Sequence, residues 1–162
     1  MIIKNHMKRR VISIKGTATI KEAAQLVMKH NIGTLPIVDE ENNLIGVVTL
    51  QHLLSLIMPD FIDLVESFKF VHNFGAVESR MPEPEVLADP VSQIMKEAVY
   101  ARENDGLLYG AAQIHQFGCT DLPIVTEEGK LIGLASHVDI GAALMKGWKK
   151  VKLNNNTNSK LT

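Results

Sequence analysis

A single cysteine, Cys119, leaves the chain unable to close a disulfide within itself. That suits a reducing compartment, and a cytoplasmic location is the expectation. No apolar stretch approaches the ~20 residues that a membrane-spanning helix needs. The opening MIIKNHMKRR also lacks the long apolar core of a secretory signal, so no membrane insertion is expected. Charge of one sign is missing too: 17 Lys and Arg face 18 Asp and Glu, a net charge of −1. A balance that even argues against nucleic acid as a partner. The basic clusters Lys8-Arg9-Arg10 and Lys146 to Lys152 read as solvated ends.

Catalytic signatures are absent as well. Gly129-Lys130 is followed by Leu131 rather than a hydroxyl residue, so no phosphate-cradling GxxxxGK[ST] loop exists. GxGxxG, HExxH and GxSxG do not occur. His115 and Cys119 are spaced for one face of a helix, yet a pair without further ligands makes neither a metal site nor a nucleophile. The remaining histidines are scattered. The chain is therefore read as having no catalytic residues and no metal site.

What is present is a repeat. LPIVDEENNLIGVVT at Leu35–Thr49 returns as LPIVTEEGKLIGLAS at Leu122–Ser136, 87 residues later without a gap, and nine of the fifteen positions are identical. A β-rich unit was built twice, and two small units must bury their apolar faces on each other. In the first, Val11–Ile14 reads as a strand. Ile20, Ala23, Ala24, Val27 and Met28 recur at helical spacing behind Thr19 as N-cap. The hairpin comes next, and Leu50–Ile57 closes the unit as a helix. In the second unit Ala98–Ala101, Leu107–Phe117, the hairpin and His137–Trp148 match these parts. The fold class is thus α+β, two β-α-β-β-α repeats packed as one intramolecular pair.

Between the repeats, Phe61, Leu64, Val65 and Phe68 fall on one helical face, a helical insert for which core packing and a docking surface are both open. MPEPEVLADP at Met81–Pro90 reads as an extended linker, because each proline disfavours helix in the residue before it, and Val91–Met95 reads as a short helix. The expected division is 1–58 for the first repeat, 59–90 for insert and linker, 91–148 for the second repeat and 149–162 for a flexible polar tail.

The second hairpin ends in Gly133-Leu-Ala-Ser136-His-Val-Asp139. There a hydroxyl residue caps a helix whose free N–H groups suit a phosphate, and the carboxylate three residues on suits a diol. The same spacing also makes a plain capping box. Strand, helix, LPIV-type hairpin and G-h-h-[ST]-x-x-D, given twice, resemble the tandem CBS domain pair, or Bateman module, named after cystathionine β-synthase. The resemblance covers Val11–Ile57 and Val91–Met145.

It implies two clefts between the repeats that take adenosine nucleotides (AMP, ADP, ATP) or related ligands as effectors, with no obligatory cofactor. In repeat two, Ser136 and Asp139 fall on the phosphate-side hydroxyl and the ribose carboxylate. Thr120, Asp121, Leu122 and Pro123 fall on one wall of the adenine pocket, and Val99 and Tyr100 on the other. Lys15, Arg102 and His137 are cations available to phosphate. Repeat one departs from the pattern. Thr49 keeps the hydroxyl but His52 replaces the carboxylate, and a neutral imidazole cannot accept from both ribose hydroxyls. That second cleft, with Ile12, Thr34, Leu35, Pro36, Thr49 and His52, is expected to be degenerate. The resemblance further implies a non-catalytic regulator, a homodimer, signalling in trans to a partner protein. The alternative is a ligand-free interaction protein that docks through the insert helix.

Overall fold

The computed structural model describes residues 1–58, 75 and 79–150. It is an α+β fold of two three-stranded sheets, β1-β2-β3 and β4-β5-β6, one in each repeat. In repeat one β1 (Ile14–Lys15), α1 (Ile20–His30), β2 (Thr34–Val38), β3 (Leu44–Thr49) and α2 (Leu50–Ser55) come in order. After α3 (Pro84–Ala88), repeat two supplies β4 (Ala101–Arg102), α4 (Leu107–Phe117), β5 (Asp121–Val125), β6 (Leu131–Ser136) and α5 (His137–Met145). The insert face at Phe61–Phe68 and the tail beyond Lys150 lie outside the described residues.

Local chemistry accounts for these elements. Thr19 and Glu22 form a reciprocal capping box at the start of α1, and Asn31 ends it at φ 50°. Each central strand runs parallel to its first neighbour and antiparallel to its second, with the same irregularity at Ile37/Val38 and Ile124/Val125. The first strand is shorter and later than expected in both repeats. Ile14 pairs with Ile37 and Ala101 with Ile124, each one residue beyond a proline of the central strand. Pro36 and Pro123 have no N–H to give, so the parallel ladder starts only after them. Residues 11–13 and 98–100 consequently run outside the sheets.

The linker reading of Met81–Pro90 is also corrected, since Pro84–Ala88 is helical and packs on α1. Pro84 occupies the first helical turn, where its missing N–H costs nothing, and the residues before Pro84 and Pro90 are extended. Val91–Gln93 is a single 3-10 turn rather than a helix to Met95, and α5 gives way at Lys146 to another.

The unexpected feature is an exchange of leading segments. Residues 1–8 dock on repeat two: Ile3 N–H donates to the Asp105 carbonyl at 2.9 Å, and Leu107 N–H to that of Met1 at 3.1 Å. Lys8 and Leu134 exchange two hydrogen bonds of 2.9 Å. Residues 89–96 do the same on repeat one. Val91 donates to Ala18 at 2.7 Å, Ile20 to Asp89 at 2.9 Å, and Val47 and Lys96 exchange two bonds of 2.9 Å. Each arm thereby covers the open edge of a β-strand belonging to the other repeat. Each also plugs the foreign core. Ile3, fully buried, packs among Leu107, Leu122, Ile124, Ala135 and Ile140, and Val91 among Ala23, Leu35, Ile37 and Val48. The cluster at Lys8-Arg9-Arg10 therefore leads away from a docked arm and is not a loose end.

The hairpin turns meet near the pseudo-two-fold axis. Leu44 N–H donates to the Gly129 carbonyl and Leu131 N–H to that of Asn42, both at 3.0 Å. Thr34 and Asp121, equivalent positions of the two repeats, join by an Oγ1–H···Oδ2 bond of 2.9 Å. The repeats share one tightly tied interface.

Candidate functional site

A cavity of about 430 Å³ opens beside that axis, within the usual range for small-molecule sites. Thr34, Thr49 and His52 of repeat one line it together with Val99, Thr120, Asp121 and Pro123 of repeat two. The grouping expected from the sequence is corrected here. Motif matching sets Val99, Thr120, Asp121 and Pro123 beside Ser136 and Asp139, but in the structure they face the closing helix of the other repeat. Arm exchange is the reason: the segment from Val91 to Val99 runs along β3 of repeat one before entering its own sheet. It brings Lys96 and Glu97 into the cavity wall, two residues that sequence reading misses. The only trace of them in sequence is a Met-Lys pair at 7–8 that recurs at 95–96.

The other expected residues divide. Leu35 and Leu122 are fully buried core, Pro36 is buried beside them, and Ile12 is half-buried against the repeat-one core. Tyr100 lines an adjoining groove of about 690 Å³ with Tyr109, Phe117 and Arg102. Lys15 and Arg102 are drawn away to the hairpin turns, where they pair with Glu40 at 3.7 Å and Glu127 at 3.4 Å. His137 holds the Thr120 carbonyl, its ring Nδ1 at 3.1 Å.

The two closing helices start alike but end in different chemistry. At α5 the Asp139 carboxylate accepts from the Ser136 N–H at 3.0 Å and hydroxyl at 2.7 Å, while Ser136 Oγ accepts from Asp139 N–H at 3.1 Å. Lys8, from the exchanged arm, stands 3.8 Å from the same carboxylate. Partial burial pushes the Asp139 carboxyl up, but the Ser136 hydroxyl and N–H, helped by Lys8 and His137, hold it below its ordinary value. The bonds that the carboxylate accepts both use Oδ2, as does the contact with Lys8, and Oδ1 accepts none among the described residues.

At α2 the box is closed by an imidazole. Thr49 N–H donates to His52 Nδ1 at 3.2 Å, and Thr49 Oγ1 accepts from His52 N–H at 3.3 Å. With Nδ1 accepting, the neutral ring carries its proton on Nε2. Burial, and then the charge of Lys96, lower the His52 pKa from 6.5. Above pH 6.5 both folded and unfolded chains hold a neutral ring. Below it the unfolded chain takes the proton first, so stability falls with pH until the folded-state value is passed. His52→Gln keeps an acceptor at that helix position and should flatten this part of the acid limb. Urea midpoints measured through the acid range check it, and an unchanged slope would assign the loss to other groups.

Cys119 lies beside the cavity, where burial and, less strongly, Asp121 push its thiol pKa up, the opposite of a nucleophile's tuning. It does not share a helix face with His115, because Gly118 at φ +64° ends α4 after Phe117.

A duplicated β-α-β-β-α unit, paired around clefts at the ends of its β-hairpins, defines the class of protein. The CBS domain family model matches residues 3–59 and 91–146, and the chain belongs to that family. Both matches take in the exchanged arms. Inosine-5′-monophosphate dehydrogenase of Aquifex aeolicus is 28% identical over 131 residues, covering 80% of this chain and 21% of that protein. A crystal structure of CBSX2 in complex with AMP is similar at TM-score 0.68 and 21% identity, over 91% of this chain and 98% of that one. A CBS domain pair in complex with 5′-methylthioadenosine and S-adenosyl-L-methionine is similar at TM-score 0.65 and 21% identity, over 93% and 98%. Against the first curated relatives, the chain spans between 21% and 44% of their length. No helix among the described residues is long and apolar enough to cross a membrane.

Proposed function

We propose that the chain is a non-catalytic regulatory module that binds an adenosine nucleotide at Ser136 and Asp139. The carrying observation is the convergence of three groups there. Asp139 keeps one carboxylate oxygen open for a ribose diol, Ser136 presents its hydroxyl at the α5 N-terminus, and Lys8 brings a cation from the exchanged arm. Arg9 and Arg10 come directly after Lys8 and are exposed, which favours a phosphorylated ligand. By the pseudo-symmetry, Ile12, the counterpart of Val99, stands on the adenine side of this site. AMP in one structurally similar protein, and 5′-methylthioadenosine with S-adenosyl-L-methionine in a CBS domain pair, support the ligand class.

The signalling output depends on the arm. A ligand held by Asp139 of repeat two and Lys8 of the arm favours the docked arrangement only by its differential affinity for it. Exposed Leu50 and Leu54 on α2, with Val138 and Met145 on α5, supply apolar faces for a homodimer and for a partner regulated in trans. The division at residues 58, 90 and 148 and the cytoplasmic location belong to the same reading.

Isothermal titration of AMP tests it. Asp139→Ala should weaken AMP by about 30-fold, the loss of a charge-assisted grip of about 2 kcal/mol, with His52→Gln unaffected. An undiminished affinity in Asp139→Ala would reduce Asp139 to a helix cap.

A further inference from the structure

The two closing helices start on equivalent positions, Thr49 with His52 and Ser136 with Asp139, yet the charges around them differ in sign. Lys8 and Lys96 occupy matching places on the two arms, so they cancel in any comparison. The residues after them do not cancel. Arg9 and Arg10 stand after Lys8, whereas Glu97 and Ala98 stand after Lys96. At the closing helices, Asp139 corresponds to His52, whose capping bond fixes it as an Nε2–H donor. Asp121 adds a second carboxylate to the His52 cavity. Its Oδ2 accepts from Thr34 at 2.9 Å and from Thr120 at 3.0 Å, and Oδ1 accepts nothing among the described residues. Neither Arg102 nor Lys15 lines the cavity: Arg102 lies in the adjoining groove and pairs with Glu127, and Lys15 pairs with Glu40. The wall of the 430 Å³ cavity thus carries Lys96 against Glu97 and Asp121.

We propose that the cavity at Thr49 and His52 is a second ligand site of inverted selectivity, which takes a nucleoside-sized ligand that is neutral or cationic and rejects a phosphorylated one. The inference rests on the adenosine-ligand reading above and deepens it: one chain would sense two ligands of different charge through one pair of exchanged arms. His52 replaces the carboxylate of the other cleft with a donor, so the ligand must offer an acceptor there. Glu97 and Asp121 call for donors, and an ammonium or amino group meets both. A phosphate, carrying about −1.5 to −2 charges near neutral pH, would face two carboxylates across a partly buried space in which they are weakly screened.

Three probes that differ only at the 5′ position test this: 5′-amino-5′-deoxyadenosine, adenosine and AMP. Calorimetric titration uses the full chain carrying Asp139→Ala, in which the other site is weakened about 30-fold, so that the tightest remaining step reports the cavity. The expected order of affinity is amino-deoxyadenosine, then adenosine, then AMP, with at least about tenfold between the ends. Glu97→Gln in the same background should compress that range, and Glu97→Lys should bring AMP into the cavity. Thermal melts establish that each variant is folded. AMP binding as tightly as adenosine in the Asp139→Ala protein would overturn the proposal, as would failure of all three probes to bind it. If AMP binds the native chain and is lost with Asp139→Ala while no probe enters the cavity, this proposal fails and the nucleotide reading stands. If the charge order holds but Asp139→Ala leaves native AMP affinity intact, the reverse is true.

Discussion

Ile3→Ala is expected to destabilise the protein by about 2–4 kcal/mol. Here the side chain of Ile3 is fully buried in the core of repeat two, against Leu107, Leu122 and Ile140, with one methyl beside Gly110. Truncation would remove three buried carbons and leave a cavity that the surrounding strands can close only in part. Ile2, half exposed one position earlier, is the control, and Ile2→Ala should change little. Urea unfolding should show the midpoint fall with an unaltered slope. A loss below about 0.5 kcal/mol would mean that the arm does not dock in solution, and the cleft built on Lys8 would lose its support with it.

Gly46→Ala should cost about 1–3 kcal/mol through overpacking, and it should disturb the His52 cavity at the same time. Gly46 lies on β3 directly beneath the arm of repeat two. A Cβ there would stand 2.9 Å from the Lys96 carbonyl oxygen and 2.9 Å from Met95 Sδ. The methionine can swing aside, but the carbonyl belongs to a backbone pinned by its bonds to Val47, so the arm must lift. Lys96 and Glu97, which line the cavity, would move with it. At Gly133, the equivalent glycine, the three atoms nearest an added Cβ all belong to the Met7 side chain, which can rotate away where a backbone carbonyl cannot, and Gly133→Ala should be milder for that reason. Comparing thermal melts of the two variants tests the distinction, and equal losses would show that the arms are held equally loosely.

Much of this architecture is legible without coordinates, and the legible parts are the local ones. Thr19 followed by Glu22 states where α1 begins, because a capping box is closed within four residues. The hairpin repeat states its own turn and partner strand, since antiparallel neighbours lie close in sequence. Pro84 is a helix start rather than a linker residue, and its position before Glu85 is the available signal. The first strands escape sequence reading because their length depends on a missing N–H in a strand more than twenty residues away.

The candidate site is legible residue by residue but not as an assembly. Thr34, Thr49, His52, Thr120, Asp121, Ser136 and Asp139 all stand out by motif spacing, yet spacing sets Thr120 and Asp121 with Ser136 and Asp139, whereas the cavity joins them to Thr34, Thr49 and His52. The arms defeat the offset: Ile3-Lys-Asn-His-Met-Lys8 answers Val91-Ser-Gln-Ile-Met-Lys96 at 88 residues, not the 87 of the hairpins. Only Met and Lys are identical there, so no repeat announces itself. A wall made by Glu97 against His52 joins positions 45 residues apart, and one made by Lys8 against Asp139 joins positions 131 apart.

By itself, then, the sequence determined the duplicated unit, its α+β class and the chemistry available at each helix start, because caps, turns and apolar periodicity act over a few residues. The tertiary structure alone decided which repeat each leading arm serves, and through that which residues of the two repeats line the cavity at His52. Those outcomes depend on buried side chains such as Ile3 and Val91 filling cores far from them along the chain, and burial of that kind leaves no local pattern to read.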